Sequence, residues 1–194
     1  MKTTYKILAS ICALYSSLAL SNSANAANGL PELNLDVEQV TVSGLSSGGY
    51  MATQFHIAHS DWVKGAGIIA AGPYYCAQND ITTALNQCVN KVDTPINLDV
   101  LSSVAVDYAS EGTIAPLTGL KDAKVWLFHG TNDKRVTAQA SNLLYRQYQN
   151  WTDTQNIVYV NDQSAAHHFP TLDEASNCSV SESPFIGNCN YDAA

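Results

Sequence analysis

The sequence predicts an α/β fold in which helices flank a parallel β-sheet. Short apolar runs, rich in Val, Ile and small residues, alternate with helix-compatible stretches between residues 39 and 160. Such runs are typical of strands buried on both faces, and their alternation with helices is typical of parallel sheets. In addition, residues 41–51 read TVSGLSSGGYM and place a G-x-S-x-G motif between a predicted strand and a predicted helix.

The predicted strands and helices alternate along the chain. The predicted strands, in chain order, cover residues 39–42, 65–70, 124–128 and 156–160. The predicted helices cover residues 49–59 and 137–151, and helical pieces and loops fill residues 80–110. Thr137 is the predicted N-cap of the second helix, because a threonine oxygen accepts a hydrogen bond from a free N–H group of the first turn. A polar loop is expected from the last strand to Thr171.

Residues 1–26 have the pattern of a cleaved signal peptide. Lys2 and Lys6 form a positive segment before an apolar stretch at residues 7–20, and an A-x-A cleavage site follows. The apolar stretch is short for a helix that crosses a membrane. The sequence therefore predicts a signal peptide, one domain at residues 27–194, and secretion to the extracellular space or the periplasm.

The composition is acidic, with 9 Lys and Arg against 17 Asp and Glu and a formal net charge of −8. Loss of Lys2 and Lys6 with the signal peptide makes this charge more negative. Because an acidic surface repels nucleic acids and anionic membranes, neither is an expected partner. Nothing in the sequence indicates an oligomeric state.

Four cysteines lie outside the signal peptide: Cys76, Cys88, Cys178 and Cys189. In an exported protein they predict disulfides, and four cysteines allow three pairings. The spacing favours the pairs Cys76–Cys88 and Cys178–Cys189, each of which closes a short loop. A zinc site is not expected, since the sequence has no C-x-x-C pair and no histidine beside these cysteines. No other metal is predicted.

Ser46 is the candidate nucleophile. It is the central residue of Gly44-Leu45-Ser46-Ser47-Gly48, which fits the nucleophile elbow, a tight turn between a strand and a helix. The turn pushes the serine hydroxyl out of the sheet, and the glycines on both sides are expected to let the helix approach the strand. Because Ser- and Gly-rich turns match the motif by chance, its meaning depends on partners elsewhere in the chain.

Asp133 and His167 are the candidate acid and base. A serine hydroxyl needs a histidine to take its proton, and the histidine needs an acid to hold its tautomer. Asp133 follows the predicted strand at 124–128, and His167 follows the one at 156–160. Active sites in open α/β sheets lie at the carboxyl ends of strands, and α/β-hydrolases have the order Ser, Asp, His. The sequence therefore predicts a Ser-His-Asp hydrolase with an α/β-hydrolase-like fold.

These assignments have alternatives. Asp133 is alternatively a turn residue, and Asp162 is a rival acid, although it lies on the same predicted loop as the histidine. His168 competes with His167 as the base. The other histidines are expected outside the triad, on the surface, in packing or beside the cleft: His56, His59 and His129.

The backbone N–H of Ser47 is the predicted first donor of the oxyanion hole, because the residue after the nucleophile supplies one donor in this fold. The second donor usually comes from a loop that precedes the elbow. Only residues 27–45 separate the predicted cleavage site from Ser46. That stretch is too short for the strands that would carry such a loop.

Four segments carry a more specific resemblance. They are residues 43–52 (SGLSSGGYMA), residues 71–74 (AGPY) with Cys76, His167 with residues 169–171 (FPT), and residues 183–184 (SP) with residues 188–192 (NCNYD). Together they resemble secreted poly(3-hydroxybutyrate) depolymerases, most of all the single-domain, circularly permuted type. The resemblance covers nearly all of the chain after the signal peptide.

The resemblance implies that Ser46 is the nucleophile, Asp133 the acid and His167 the base of an esterase that needs no cofactor. It also implies the two disulfide pairings named above. In the permuted type the elbow comes early, and the strands that usually precede it follow the histidine in a C-terminal half. Since this sequence ends at residue 194, we expect that the C-terminal half is absent and the chain truncated.

The sequence thus predicts an extracellular serine carboxylic ester hydrolase that degrades poly(3-hydroxybutyrate) or its oligomers through an acyl-enzyme. Two alternatives stay open at this point. One is an esterase for feruloyl, acetyl or other small esters, because the triad does not select the acyl group. The other is an inert fragment or a surface-binding remnant, because the expected second oxyanion donor would be missing.

Overall fold

The computed structural model describes residues 33–89, 96–173 and 176–193. The predicted signal peptide at residues 1–26 lies outside the described residues. Among the described residues, those from Asp36 onward form one compact unit, and residues 33–35 belong to a separate one.

The main sheet contains four parallel strands in the order β1-β2-β3-β4. The strands are, in chain order, β1 (Thr41–Leu45), β2 (Gly65–Ile69), β3 (Lys124–Phe128) and β4 (Ile157–Val160). The last residues of β1, β2 and β3 pair with the last residues of β2, β3 and β4, respectively. The predicted parallel α/β fold is confirmed, and all four strands end at the same edge of the sheet.

Three longer helices connect the strands: α1 (Ser47–Ala58), α2 (Leu98–Ser110) and α3 (Ala138–Tyr148). The shorter pieces are 3₁₀ turns and a helical turn that continues into a π-helix: Val37–Gln39, Leu117–Leu120, Thr154–Asn156, Ile81–Thr83 and Ala84–Val89. Thr137 caps α3 as predicted, its oxygen accepting from Gln139 N–H. Within the described residues, no helix has both the length and the apolar composition needed to cross a membrane.

The start of the first strand differs from the prediction. Residues 37–39 form a 3₁₀ turn because the Asp36 carboxylate accepts a hydrogen bond from Glu38 N–H at 3.0 Å. The strand therefore begins at Thr41 instead of residue 39. A local side-chain bond of this kind competes with the strand for the backbone N–H group.

The hydrophobic core lies on both faces of the main sheet. Ile68 and Leu127 pack with residues of α1, α2 and α3 on one face. Their neighbours Ile69 and Phe128 belong to a second cluster on the other face, together with residues that follow β4. Successive residues of a strand point to opposite faces, so strands covered on both sides are apolar throughout.

A small second sheet covers part of the region after β4. It consists of three parallel strands in the order β5-β7-β6, namely β5 (Phe169–Thr171), β6 (Ser176–Asn177) and β7 (Ile186–Asn188). The sequence predicted only a polar loop up to Thr171. Strands of two or three residues are too short to show an alternating pattern, so this sheet leaves no sequence signal.

Two disulfides hold the loops. Cys76–Cys88 joins the loop after β2 to the π-helix, and Cys178–Cys189 joins the residues that follow β6 and β7. These are the two pairings that the spacing favours. The second disulfide ties together the short strands, whose few hydrogen bonds hold them weakly on their own.

His56 is a buried polar residue of α1. Its Nδ1 atom is 2.9 Å from the Tyr148 hydroxyl, and its Nε2 atom is buried without a hydrogen-bond partner. Burial lowers the pKa of His56 from 6.5 to about 4. The native state therefore holds this ring neutral, and its predicted role in packing agrees with its position.

We predict that His56 makes the protein less stable in mild acid. In the unfolded chain His56 takes up a proton near pH 6.5, whereas in the native state it does so only near pH 4. As the pH falls through this window the unfolded state is favoured, by roughly 3 kcal/mol in total. The variant His56→Asn should have a flatter dependence of unfolding free energy on pH, measured by denaturant titration.

The matched control is His59→Asn, at the residue that caps the same helix. It should keep the pH dependence of the wild type. Parallel pH profiles for the wild type and His56→Asn would contradict the assignment.

Candidate active site

Backbone hydrogen bonds continue past the ends of the strands and fix the loops that follow. Ser46 N–H donates to Ile69 O at 2.9 Å, directly after β1. Ala70 N–H donates to Phe128 O, and His129 N–H donates to Val160 O, each also at 2.9 Å. The loops that carry Ser46 and Asp133 therefore leave the sheet from the same edge, which is where ligands bind in open α/β sheets.

Ser46 has an unusual backbone conformation, with φ 58° and ψ −123°. Positive φ is rare for residues other than glycine, and such positions cost about 1–3 kcal/mol. The bond to Ile69 O holds its N–H group, and its carbonyl accepts from Tyr50 N–H at 2.9 Å. Both halves of the residue are thus fixed, and the strained turn places the serine between the strand and the helix.

Two glycines allow the close contact between β1 and α1. A Cβ atom on Gly44 would lie 2.2 Å from the carbonyl carbon of Gly48, and one on Gly49 would lie 3.0 Å from the carbonyl oxygen of Gly44 and 2.9 Å from Ile69 O at the end of β2. A Cβ atom on Gly48 would meet no atom within 4 Å. The expectation about the motif glycines is therefore correct for Gly44 and wrong for Gly48, since Gly49 makes the second close approach.

Asp133 and His167 form a hydrogen-bonded pair. His167 Nδ1 lies 2.8 Å from Asp133 Oδ2, and the two side chains are only 7% and 1% exposed, respectively. The other oxygen of Asp133 accepts from Arg135 N–H at 2.8 Å and from Val136 N–H at 3.1 Å. Asp133 is thus both the partner of the histidine and the turn residue that the alternative proposed.

The surroundings of Asp133 keep its carboxyl ionised. Burial raises the pKa, but the hydrogen bonds from His167 and from the Arg135 and Val136 N–H groups outweigh it, so the pKa of Asp133 lies below its ordinary value. An ionised carboxylate only accepts hydrogen bonds. His167 Nδ1 therefore carries the proton, and Nε2 is left to accept one when the ring is neutral.

The loops that carry Asp133 and His167 are joined by backbone hydrogen bonds. Thr131 N–H donates to Gln163 O at 2.8 Å, and Asn132 N–H donates to Ala165 O at 3.1 Å. The contact is close, because a Cβ atom on Gly130 would lie 2.1 Å from Ala165 O. These bonds fix the distance between the acid and the histidine.

The rival residues occupy other positions. The exposed Asp162 accepts a hydrogen bond from the side chain of Gln163 at 3.0 Å. His168 is buried, and its Nε2 donates to Cys178 O at 2.7 Å. Its ring lies against β7, where a Cβ atom on Gly187 would be 2.5 Å away. His168 therefore connects the histidine loop to the second sheet.

His168, Cys178 and Cys189 bring three potential metal ligands together within 4.8 Å. The sequence did not indicate this grouping, since the histidine is remote from both cysteines in the chain. However, Cys178 and Cys189 are bonded to each other. Metals bind cysteine as the thiolate, so this disulfide removes two of the three ligands.

His129 is buried beside the acid and supports the loop after β2. Its Nδ1–H donates to Ser141 Oγ at 3.0 Å, and the Ser141 hydroxyl donates to Ala71 O at 2.8 Å. Burial lowers the pKa of His129, Asp133 opposes this effect, and His167 adds to it. The neutral ring links β3 through α3 to the loop that follows β2.

Two cavities lie beside the candidate residues. One of about 630 Å³ includes Ser46 and Ser47 in its wall, and another of about 520 Å³ includes His167. The first is lined mainly by rings, aliphatic side chains and the Cys76–Cys88 disulfide, with contributions from Tyr50, Pro73, Tyr75, Ile81, Ala84 and Val89. Within the part of the chain that is described, no hydrogen bond joins the Ser46 hydroxyl to His167.

Tyr50 is a site residue that the sequence analysis missed. Its hydroxyl donates to Cys88 O and so attaches the cleft wall to α1. Burial raises its pKa, with a smaller effect in the same direction from Asp133. The signal was its helical spacing, because a residue four positions after Ser46 lies on the same side of α1.

Ser47 is the first residue of α1, directly after the candidate nucleophile. The first N–H groups of a helix have no acceptor within the helix, and the helix dipole makes this end positive. Its backbone N–H is therefore suited to stabilise an anion that forms at Ser46.

Comparisons with known proteins agree on one group. The model of the prolyl oligopeptidase family matches residues 26–187. A poly(3-hydroxybutyrate) depolymerase of Delftia acidovorans is 41% identical over 173 residues, covering 89% of this chain and 35% of that protein. A polyhydroxybutyrate depolymerase of Talaromyces funiculosus is 37% identical over 182 residues, covering 91% of this chain and 52% of that protein.

A solved structure shares the fold. The PHB depolymerase from Penicillium funiculosum superposes with a TM-score of 0.74 at 36% identity, covering 84% of this chain and 51% of that one. The chain thus spans about half or less of the length of these relatives. The α/β-hydrolase type of fold is confirmed.

We predict that alanine lowers the thermal midpoint at one motif glycine and not at the other. Gly44→Ala forces a Cβ atom into the Gly48 backbone and should lower the thermal midpoint by about 10 °C or prevent folding. Gly48→Ala is the matched control. Its Cβ atom meets open space within α1, so the midpoint should stay within about 2 °C of the wild type or rise. A tolerated Gly44→Ala, seen by circular dichroism, would contradict this packing.

Proposed function

This chain belongs to the prolyl oligopeptidase family, and on that premise we propose that it acts as a secreted serine esterase on poly(3-hydroxybutyrate) or its oligomers. The hydrogen bond between Asp133 and His167 carries the proposal, because both residues lie at the sheet edge where the strained Ser46 precedes α1. The relatives named as depolymerases of this polyester support the substrate class.

The proposed reaction begins with Ser46. Its hydroxyl oxygen attacks the ester carbonyl while His167 Nε2 takes the proton, and the ionised Asp133 stabilises the charged ring. The carbon–oxygen bond to the alcohol then breaks, and His167 returns the proton to the departing oxygen. Water hydrolyses the acyl-enzyme by the same route. Each step uses side chains of this chain and water, and no step calls on a cofactor.

The oxyanion that forms in both steps needs hydrogen-bond donors. We assign the first donor to Ser47 N–H, at the positive end of α1. The second donor is not assigned, and removing one donor from such a site costs on the order of 10²–10³ in rate.

The apolar cleft beside Ser46 suits the acyl side of the ester. A poly(3-hydroxybutyrate) chain has methyl branches and no charge between its ends, so rings and aliphatic side chains are favourable contacts. A related PHB depolymerase has been solved with an R3HB trimer, at a TM-score of 0.75. This precedent favours a linear oligoester over a feruloyl or acetyl ester as the ligand of the cleft.

Secretion is the remaining part of the proposal. The two disulfides are suited to an oxidising compartment, and they agree with the signal peptide that the sequence predicts.

We expect Ser46→Ala to abolish clearing of a poly(3-hydroxybutyrate) suspension and labelling by a fluorophosphonate probe, with an unchanged thermal midpoint. Labelling of the wild type would also argue against an inert fragment. Clearing of the polymer suspension by Ser46→Ala would contradict the assignment of Ser46 as the nucleophile.

The same substitution, aspartate to asparagine, distinguishes the two candidate acids by its effect on kcat. Asp133→Asn should lower kcat by roughly 10³–10⁴, because the histidine loses its tautomer. The matched control Asp162→Asn should leave kcat unchanged, since Asp162 contacts Gln163 and not His167. The reverse result would transfer the role of the acid to Asp162.

The preference of the enzyme for one class of ester is tested by comparing kcat/KM values. Hydroxybutyrate oligomers should give a higher kcat/KM than methyl ferulate or aryl acetates. A higher value for the aryl esters would favour the small-ester alternative.

A further inference from the structure

The second cavity, of about 520 Å³, differs in character from the apolar cleft. It lies beside His167 and Ala166, and the other residues that line it are polar or charged: Asn132, Lys134, Arg135, Ser179 and Ser181. We call it the cationic pocket. The sequence analysis did not single out any of these five residues, and the reaction above does not use them.

The charge of this pocket is opposite to that of the protein. The chain has a formal net charge of −8, yet Lys134 and Arg135 line the pocket and no acidic residue is among its lining residues. Within the described residues, neither Lys134 nor Arg135 forms an ion pair. Both cations therefore lack a carboxylate partner in the described part of the chain, and a local positive potential attracts anions.

Arg135 is held in place relative to the acid and the base. Its Nε–H donates to Ser181 Oγ at 3.2 Å, and the Ser181 hydroxyl donates to the carbonyl of His167 at 2.9 Å. Its backbone N–H donates to Asp133. The terminal N–H groups of the guanidinium stay available, and their planar fork matches the two oxygens of a carboxylate.

The reaction decides which part of the substrate enters the pocket. In an esterase of this type the histidine gives its proton to the departing alcohol, so the side lined by His167 receives the leaving group. The apolar cleft lined by Ser46 receives the acyl group. In a hydroxybutyrate oligomer the departing alcohol has a carboxyl group at its other end, and that group is a free carboxylate when the departing unit is the last one.

We infer that the cationic pocket binds the free carboxylate of a departing 3-hydroxyacid, with Arg135 as the fork and Lys134 as an additional charge. This inference rests on the proposed function. In the step concerned the ester carbon–oxygen bond breaks, His167 protonates the departing oxygen, and the carboxylate is unchanged. Short oligomers with a free carboxyl end are therefore preferred, and cleavage at that end releases single units.

The test is a binding measurement with Ser46→Ala, which removes turnover. The probes are the linear dimer of (R)-3-hydroxybutyrate and its methyl ester, compared by isothermal titration calorimetry. The free acid should bind about tenfold more tightly or better, since hydrogen bonds to charged groups contribute that much. Adding Arg135→Gln should remove the difference and leave the affinity for the methyl ester unchanged.

The matched control is Arg146→Gln, an exposed arginine on α3 that does not line the pocket. It should keep the preference for the acid, and Lys134→Gln should reduce the preference by a smaller factor than Arg135→Gln. A thermal melt of each variant verifies folding.

Three results would overturn the inference: equal affinity for acid and methyl ester, no binding of the acid, or equal loss in the Arg135 and Arg146 variants. Since binding to Ser46→Ala does not depend on hydrolysis, the pocket can fail while the wild type still cleaves the dimer. If instead the acid binds as expected but the wild type cleaves neither dimer nor polymer, the proposed function fails and the pocket stands.

Discussion

The backbone hydrogen bonds that extend the parallel ladder beyond each strand position everything else in the candidate site. Ser46 N–H to Ile69 O is the first of them, and it fixes one half of a residue whose φ of 58° is unfavourable for serine. The equivalent bonds after β2 and β3 bring the next loops to the same edge. Without this common register, Asp133 and Ser46 would leave the sheet at different heights, and the strain at the turn would relax.

The carboxylate of Asp133 satisfies two demands at once. One oxygen closes the turn by accepting from the Arg135 and Val136 N–H groups, and the other meets His167. Its buried charge is tolerated because every contact favours the ionised form. Since the same group shapes the loop and orients the ring, a change of side chain at this position alters both, and its structural and chemical roles are not separable by sequence alone.

The sequence predicted the parts of the molecule whose signals are local. The main strands are apolar runs of adequate length, and Thr137 caps its helix through a bond two residues away. The features it missed depend on contacts between distant segments. Gly48 matches the elbow motif, but Gly49 is the glycine that packs closely against Ile69. The second sheet consists of strands of only two or three residues. The role of Arg135 is not visible in the sequence, because the residue that positions its side chain, Ser181, is remote in the chain.

The backbone bonds between the aspartate loop and the histidine loop have a consequence for protein engineering. Thr131 and Asn132 donate to the backbone of residues 163 and 165, and Gly130 has no room for a side chain against Ala165. The two loops thus form a single structural unit, although α3 and β4 separate them in the chain. A designer who transplants the histidine loop into another scaffold should carry residues 129–136 with it, because the N–H groups of residues 131 and 132 donate to the backbone of the histidine loop.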